Sequence, residues 1–168
     1  MGVTIKREVS NVTKNLKNLK SGYVDVGWFP SARYNDEKST PVASVAEENE
    51  YGNPAKNIPA RPFLRPAISN YQKDWNEIGK RGLKAVLNGK STVTQVLDNL
   101  GQRIVGDIQH SISKVYEPVL SEVTINARLE RRTHKGRLNK TQAVSITKPL
   151  IDTGHMQATV SYEIQGGT

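Results

Sequence analysis

The sequence of 168 residues contains no cysteine, which excludes disulfide frameworks and thiolate metal sites. Its three histidines, His110, His134 and His155, are scattered. None has the spacing of a zinc site, and His110 has no second ligand one helical turn further on. Aromatic residues make up 6% and apolar residues 36%, with a mean hydropathy of −0.56. No run of about 18 apolar residues exists, so no membrane-spanning segment is expected. Met1-Gly2-Val3-Thr4-Ile5-Lys6-Arg7 lacks the apolar core of a secretory signal. The glycosylation triplets at Asn11 and Asn139 therefore read as chance matches, and synthesis in the cytoplasm is expected. Acidic residues are also scarce: 16 against 24 Lys and Arg, a net charge of +8 and a pI near 9.7. A basic surface points to an anionic neighbour, whether nucleic acid, a membrane surface or an acidic protein face, or simply to solubility. A chain of this length is most simply one domain, 1–168, able to bury about 70% of its unfolded surface.

No paired carboxylates, activated nucleophile or glycine-rich nucleotide loop stands out. Gly89-Lys90-Ser91-Thr92 has the ending of a phosphate-binding loop, but the earlier glycine it requires is Lys84, and a helical pattern precedes it. Asp152 and Thr153 beside His155 read as turn-forming residues rather than as a base with its orienting group. Neither catalysis nor a cofactor or metal is expected.

Along the chain, Val3-Thr4-Ile5 reads as a short strand and Lys6–Lys20 as a short amphipathic helix. Tyr23–Phe29 alternates as a strand, with Val24, Val26 and Trp28 on one face and Pro30 ending it. Thr40 is read as an N-cap with Pro41 at the first helical position, opening a helix whose inner stripe is Val42, Val45, Ala46 and Asn49. Leu64, Ile68, Tyr71, Trp75, Ile78 and Val86 recur at helical steps up to Asn88-Gly89. Ser91 or Thr92 then caps a second long helix with the stripe Val93, Val96, Leu97, Leu100, Ile104, Ile108, Ile112 and Val115. The glycines inside these helices, Gly79, Gly82, Gly101 and Gly106, imply close backbone approaches. Pro118–Ser145 is basic and poor in apolar residues, and reads as a long loop, a hairpin or an arm. Ala143–Thr147 alternates weakly as a strand. Gln157–Ile164 alternates and is the natural antiparallel partner of Tyr23–Phe29. The expected fold class is α+β: a small antiparallel sheet packed against two long antiparallel helices, with a long basic loop or arm over 128–148.

Between the acidic helix and the first long helix lies Asn49–Pro66, which holds four of the eight prolines. Proline fixes φ and biases the residue before it towards extended geometry, so the stretch reads as a stiff, extended connector. Gly52 supplies the left-handed conformation that ends the preceding helix, and Pro66 suits the first turn of the next. Two readings stand side by side: a docking surface carrying Tyr51, Arg61, Phe63 and Arg65, or a packed turn.

Asn49-Glu50-Tyr51-Gly52 followed by Ile58-Pro59-Ala60-Arg61-Pro62-Phe63 resembles the N-E-(Y/F)-G … I-P-A-R-P-F signature of small tail-component proteins of long-tailed bacteriophages, the neck or tail-completion group. Lys148-Pro149-Leu150-Ile151-Asp152-Thr153-Gly154-His155-Met156, then Val160-Ser161-Tyr162, resembles that family's K-P-L-I-D-T-G ending. The resemblance covers roughly residues 40–164. It departs from the family between Ile125 and Lys148, where an extra basic stretch intervenes.

The resemblance implies a structural virion protein at the head–tail junction, made in the host cytoplasm. It implies a ring, sixfold to match the tail, that joins the tail to the head connector and passes DNA through its lumen. It places subunit or partner contacts at Glu50, Tyr51, Gly52, Pro59, Arg61, Pro62, Phe63, Arg65, Lys148, Pro149, Asp152, Thr153 and Gly154. The basic residues Arg128, Arg131, Arg132, Lys135, Arg137 and Lys140 are candidates for DNA or an acidic partner. A further expectation sets the acidic segment Asp36–Glu50 against this basic run across a head-to-tail contact. The alternative is a free, non-specific DNA-binding protein. The basic run lacks interleaved aromatics and no helix-turn-helix pattern is evident, so base-specific reading is not expected.

Overall fold

The computed structural model describes residues 12–17, 19, 21–133 and 146–167. The predicted strand at Val3–Ile5 lies outside them. Residues 12–17 are helical (α1). There follow β1 (Gly22–Gly27), α2 (Val42–Tyr51), a single 3₁₀ turn (Pro54–Lys56), α3 (Leu64–Leu87), α4 (Val93–Lys114), α5 (Glu122–Thr133), the one-turn α6 (His155–Ala158) and β2 (Ser161–Gly166). The chain forms two compact units interleaved along the sequence. The first takes Met1–Gly27, Asn70–Gly106 and Ser161–Thr168; the second takes Trp28–Ser69 and Asp107–Val160. Both α3 and α4 contribute residues to each.

In the first unit, β1 and β2 pair antiparallel, with Val24 opposite Ile164 and Val26 opposite Tyr162. These four are half-buried, and Tyr23, Asp25, Glu163 and Gln165 on the other face are exposed. The α+β expectation holds: a two-stranded antiparallel sheet packed against two long helices. The helices are joined at 88–92. Gly89, with φ +68°, and the Lys90 N–H bonded to the Ala85 carbonyl close α3. Thr92 and Gln95 form a reciprocal cap on α4: Gln95 N donates to Thr92 Oγ1 and Thr92 N to Gln95 Oε1. Close approach explains two of the four helical glycines. A Cβ on Gly101 would overlap the Tyr162 ring, and one on Gly82 the Val96 side chain. Gly79 and Gly106 face open space.

The second unit holds the fully buried apolar core: Val42 and Ala46 of α2, Phe63, Ala67 of α3, Ile108 and Ile112 of α4, Ile146, Leu150, Met156 and Val160. Trp28 packs edge-on against Phe63 at 5.7 Å between ring centres, and its indole N–H donates to the Met156 carbonyl at 2.8 Å. Among the described residues of the first unit, Gly101 alone reaches full burial.

Several expectations are corrected. β1 stops at Gly27, so Trp28 is not a strand residue. The helix α2 starts at Val42 with Pro41 as N-cap and no side-chain cap, because Thr40 spends its hydroxyl and N–H on Asp36 at 2.7 and 2.8 Å. α4 ends at Lys114, before Pro118. Of the segment read as loop, hairpin or arm, 122–133 is the helix α5, begun by Ser121, whose Oγ accepts from Thr124 N. Ile146 and Thr147 are helical, not strand. Gln157 and Ala158 belong to α6, so β2 starts only at Ser161.

Candidate functional site

The second unit carries an open cleft of about 950 Å³. Tyr51, Gly52, Pro59, Ala60 and Arg61 form one wall; Pro149, Asp152, Thr153, Gly154 and His155 form another. Val119, Leu120, Ser121 and Thr124, with Arg128 and Arg131 of α5, complete it.

The first wall is not the extended connector that its prolines suggest. Asn53 and Ile58 form a β-bridge around the 3₁₀ turn, and Asn57 adopts the left-handed conformation at φ 55°. Gly52 has φ +78° and ψ 166°, a positive-φ extended shape rather than a left-handed helical one. A Cβ there would stand 2.7 Å from the Ala60 N, so the tight return of the chain needs glycine.

Glu50, only 3% exposed, ties this turn to α3. Its Oε2 accepts the Phe63 and Leu64 N–H groups at 2.7 and 2.8 Å. Its Oε1 accepts the Arg65 N–H and Nε at 3.1 and 2.8 Å. The first backbone donors of α3, which no helical carbonyl can reach, are thus satisfied by one carboxylate. Burial works against the Glu50 charge, but the hydrogen bonds from Phe63, Arg65 and Leu64 outweigh it and hold the carboxyl below its ordinary range. The Arg65 guanidinium lies 5.1 Å from the exposed Tyr51 ring.

Arg61 is 6% exposed. Its Nε donates to the Pro118 carbonyl at 2.8 Å and its Nη2 to the Val119 carbonyl at 3.2 Å, and burial lowers its pKa.

Arg128 organises the second wall. Its Nη1 donates to the Lys148 carbonyl at 2.7 Å and the Ile146 carbonyl at 3.3 Å, and its Nη2 to the Pro149 carbonyl at 3.1 Å. Asp152 lies 3.7 Å from Arg128 Nε and 2.9 Å from Arg131 Nη2. Lys148 Nζ donates to the Ser113 carbonyl and sits 5.0 Å from the Tyr116 ring centre. Thr153 Oγ1 accepts from His155 N, opening α6. His155 Nε2 is bonded to the Arg33 carbonyl at 2.9 Å, its ring 5.0 Å from that of Tyr34. Burial, and then the Asp152 charge, raise the Tyr34 pKa.

The two motif blocks, some ninety residues apart, are therefore brought together. Within them the roles differ from those expected. Phe63, 1% exposed, is core, and Arg61 is no projecting surface residue but braces the 118–119 carbonyls from within the cleft wall. Tyr51, Pro59, Pro62 and Arg65 are exposed. Glu50 and Arg128 spend their charges inside the chain, which removes these two from the expected acidic-against-basic contact, and the partly exposed Glu48 pairs with Lys56. Arg128 is buried with its donors spent on the Ile146, Lys148 and Pro149 carbonyls and its charge beside Asp152, and so is not a phosphate contact. Arg132 lies in α5; Lys135, Arg137 and Lys140 lie outside the described residues. Sequence reasoning missed Tyr34, the 119–124 segment and Ser111, whose buried Oγ donates to the Phe63 carbonyl at 2.6 Å. Ser121-Glu122-Val123-Thr124 carried a helix-start signal for α5; nothing local marked the other two. Among the described residues, no group of three His, Cys, Asp or Glu is placed to hold a metal ion.

No family model matches the chain, and no solved structure matches it. Over 36 residues it is 47% identical to an uncharacterized protein of Methanocaldococcus jannaschii, a stretch that is 21% of this chain and 27% of that protein. The chain thus spans about a quarter of that relative's length.

Proposed function

We propose that this chain is a structural subunit of a phage or prophage neck, a tail-completion protein that assembles as a sixfold ring around a DNA channel and joins the tail to the head connector. The observation that carries the reading is the cleft. Residues from both blocks that resemble the tail-component family, separated by about half of the chain, line one open concavity. A second observation agrees with it. The helix-packed face of the two-stranded sheet in the first unit, Val24, Val26, Tyr162 and Ile164, is only half-buried. Such a unit gains stability from neighbours. The function is then one of interfaces: heterologous contacts between identical subunits close a ring when the rotation permits, and the positive net charge suits a lumen that DNA traverses.

The test is the solution mass by light scattering after size exclusion, at low and high salt, with and without DNA. The expected result is a species of about six times 18.6 kDa in the absence of DNA. A monomer that forms no ring alone or with head and tail proteins overturns the reading. A monomer that shifts only on adding DNA, and reverts in salt, favours the non-specific DNA-binding alternative.

A further inference from the structure

Two charged features lack an opposite partner among the described residues, one in each unit. In the first unit, Asp25 and Glu163 stand directly opposite each other across the β1–β2 ladder. They lie on its exposed face beside the Tyr23–Gln165 pair. Tyr23 is 60% exposed. Like charges directly opposite in a sheet destabilise it, and no described cation pairs with either carboxylate. In the second unit, Arg61 lines the cleft while 6% exposed. Its Nε and Nη2 are bonded to carbonyls; among the described residues its Nη1 has no partner and no carboxylate neutralises it. Carbonyl dipoles replace only part of the hydration that a buried guanidinium loses. The cleft holds Arg61, Arg128 and Arg131 against Asp152. Asp152 is shared by Arg128 and Arg131, so the cleft is positive in excess, and Arg61 is the arginine in it that no described carboxylate meets.

We propose that the Tyr23, Asp25 and Glu163 face of one copy docks on the cleft of the next copy and sets a carboxylate on Arg61. This contact rests on the ring reading and supplies its interface. A head-to-tail contact needs two different, complementary patches on one chain, and these two are opposite in sign and distinct in sequence. Arg61 offers the planar donor edge that a carboxylate fits, already oriented by its two carbonyl bonds. Tyr23 adds the kind of exposed aromatic that anchors protein interfaces, and Arg131, 61% exposed, extends the positive rim. The docked pair relieves both defects at once: the repulsion within the sheet and the uncompensated charge in the cleft.

The test uses two variants of the full chain. The Asp25→Lys/Glu163→Lys double variant changes only the exposed sheet face; Arg61→Gln changes only the cleft. If the wild type forms rings, each variant alone should run as a monomer with an unchanged circular dichroism spectrum. Their equimolar mixture should give a dimer and nothing larger, because one intact patch survives on each partner. Should Arg61→Gln fail to fold, Ala60→Trp, an exposed substitution on the cleft wall, takes its place. Rings formed by the double variant, or a mixture that stays monomeric, overturn this contact and leave the ring reading standing. A wild type that never assembles overturns both.

Discussion

Arg65 holds Glu50 at two points: its Nε meets the carboxylate Oε1 at 2.8 Å, and its Nη2 meets the backbone carbonyl of the same residue at 2.9 Å. With the Phe63, Leu64 and Arg65 N–H groups on that carboxylate, the last turn of α2 is clamped to the first turn of α3. Glu50→Gln leaves a single acceptor oxygen and turns an amide against several buried donors. A loss of about 2–3 kcal/mol is expected in urea denaturation at pH 7.

The same carboxyl predicts a pH dependence. Its native pKa is lowered, so its contribution is full above the ordinary Glu value of about 4.3 and is lost as pH falls through the lower native value. The stability gap between wild type and Glu50→Gln should be constant from pH 7 to 5 and shrink below about pH 4. A gap undiminished at pH 2 would contradict the clamp.

Arg128 reaches across from α5 to the carbonyls of Ile146, Lys148 and Pro149. Arg128→Met removes every one of these donors and should cost about 3 kcal/mol. Arg128→Lys should recover little, since a point-like ammonium cannot reproduce a planar fork. Limited proteolysis should show earlier cleavage near 146–154 in both variants. Wild-type protection in the lysine variant would refute the fork argument.

The helical glycines give a paired prediction. Gly101→Ala drives a methyl into the Tyr162 ring and should destabilise by about 1–3 kcal/mol despite the better helix propensity. Gly106→Ala meets open space and should stabilise by up to about 1 kcal/mol. Thermal melts of the two variants check the contrast; equal shifts would mean that sheet and helix are not in contact at Gly101.

Tyr162 donates its hydroxyl to Asp98, and that bond raises the phenol pKa. A raised acid is favoured in its neutral form by the fold, so this contribution is complete below about pH 10 and disappears as pH rises through the higher native value. The difference in alkaline absorbance titration between wild type and Tyr162→Phe should place this phenol above the ordinary tyrosine value of about 10. Asp98→Asn should bring it down, and no change in that variant would exclude Asp98 as the cause.

Local periodicity and local caps were enough to mark several elements. The C-terminal end of α3 and the start of α4 follow from Gly89 and Thr92, and the pairing of β1 with β2 from their alternation. Two motif blocks marked where the cleft would form. Which of their residues face the solvent depends on contacts made only once the chain is folded. Arg61, Glu50 and Arg128 are charged residues in polar stretches, and on local pattern they read as surface. Each is buried because its partners lie far along the chain, at 118–119, 63–65 and 146–151. α5 escaped detection for the same reason: its sequence is too polar for a clear apolar stripe, and one buried arginine ties it to the fold. Periodicity is a property of neighbours in sequence, whereas the satisfaction of a buried charge is a property of neighbours in space.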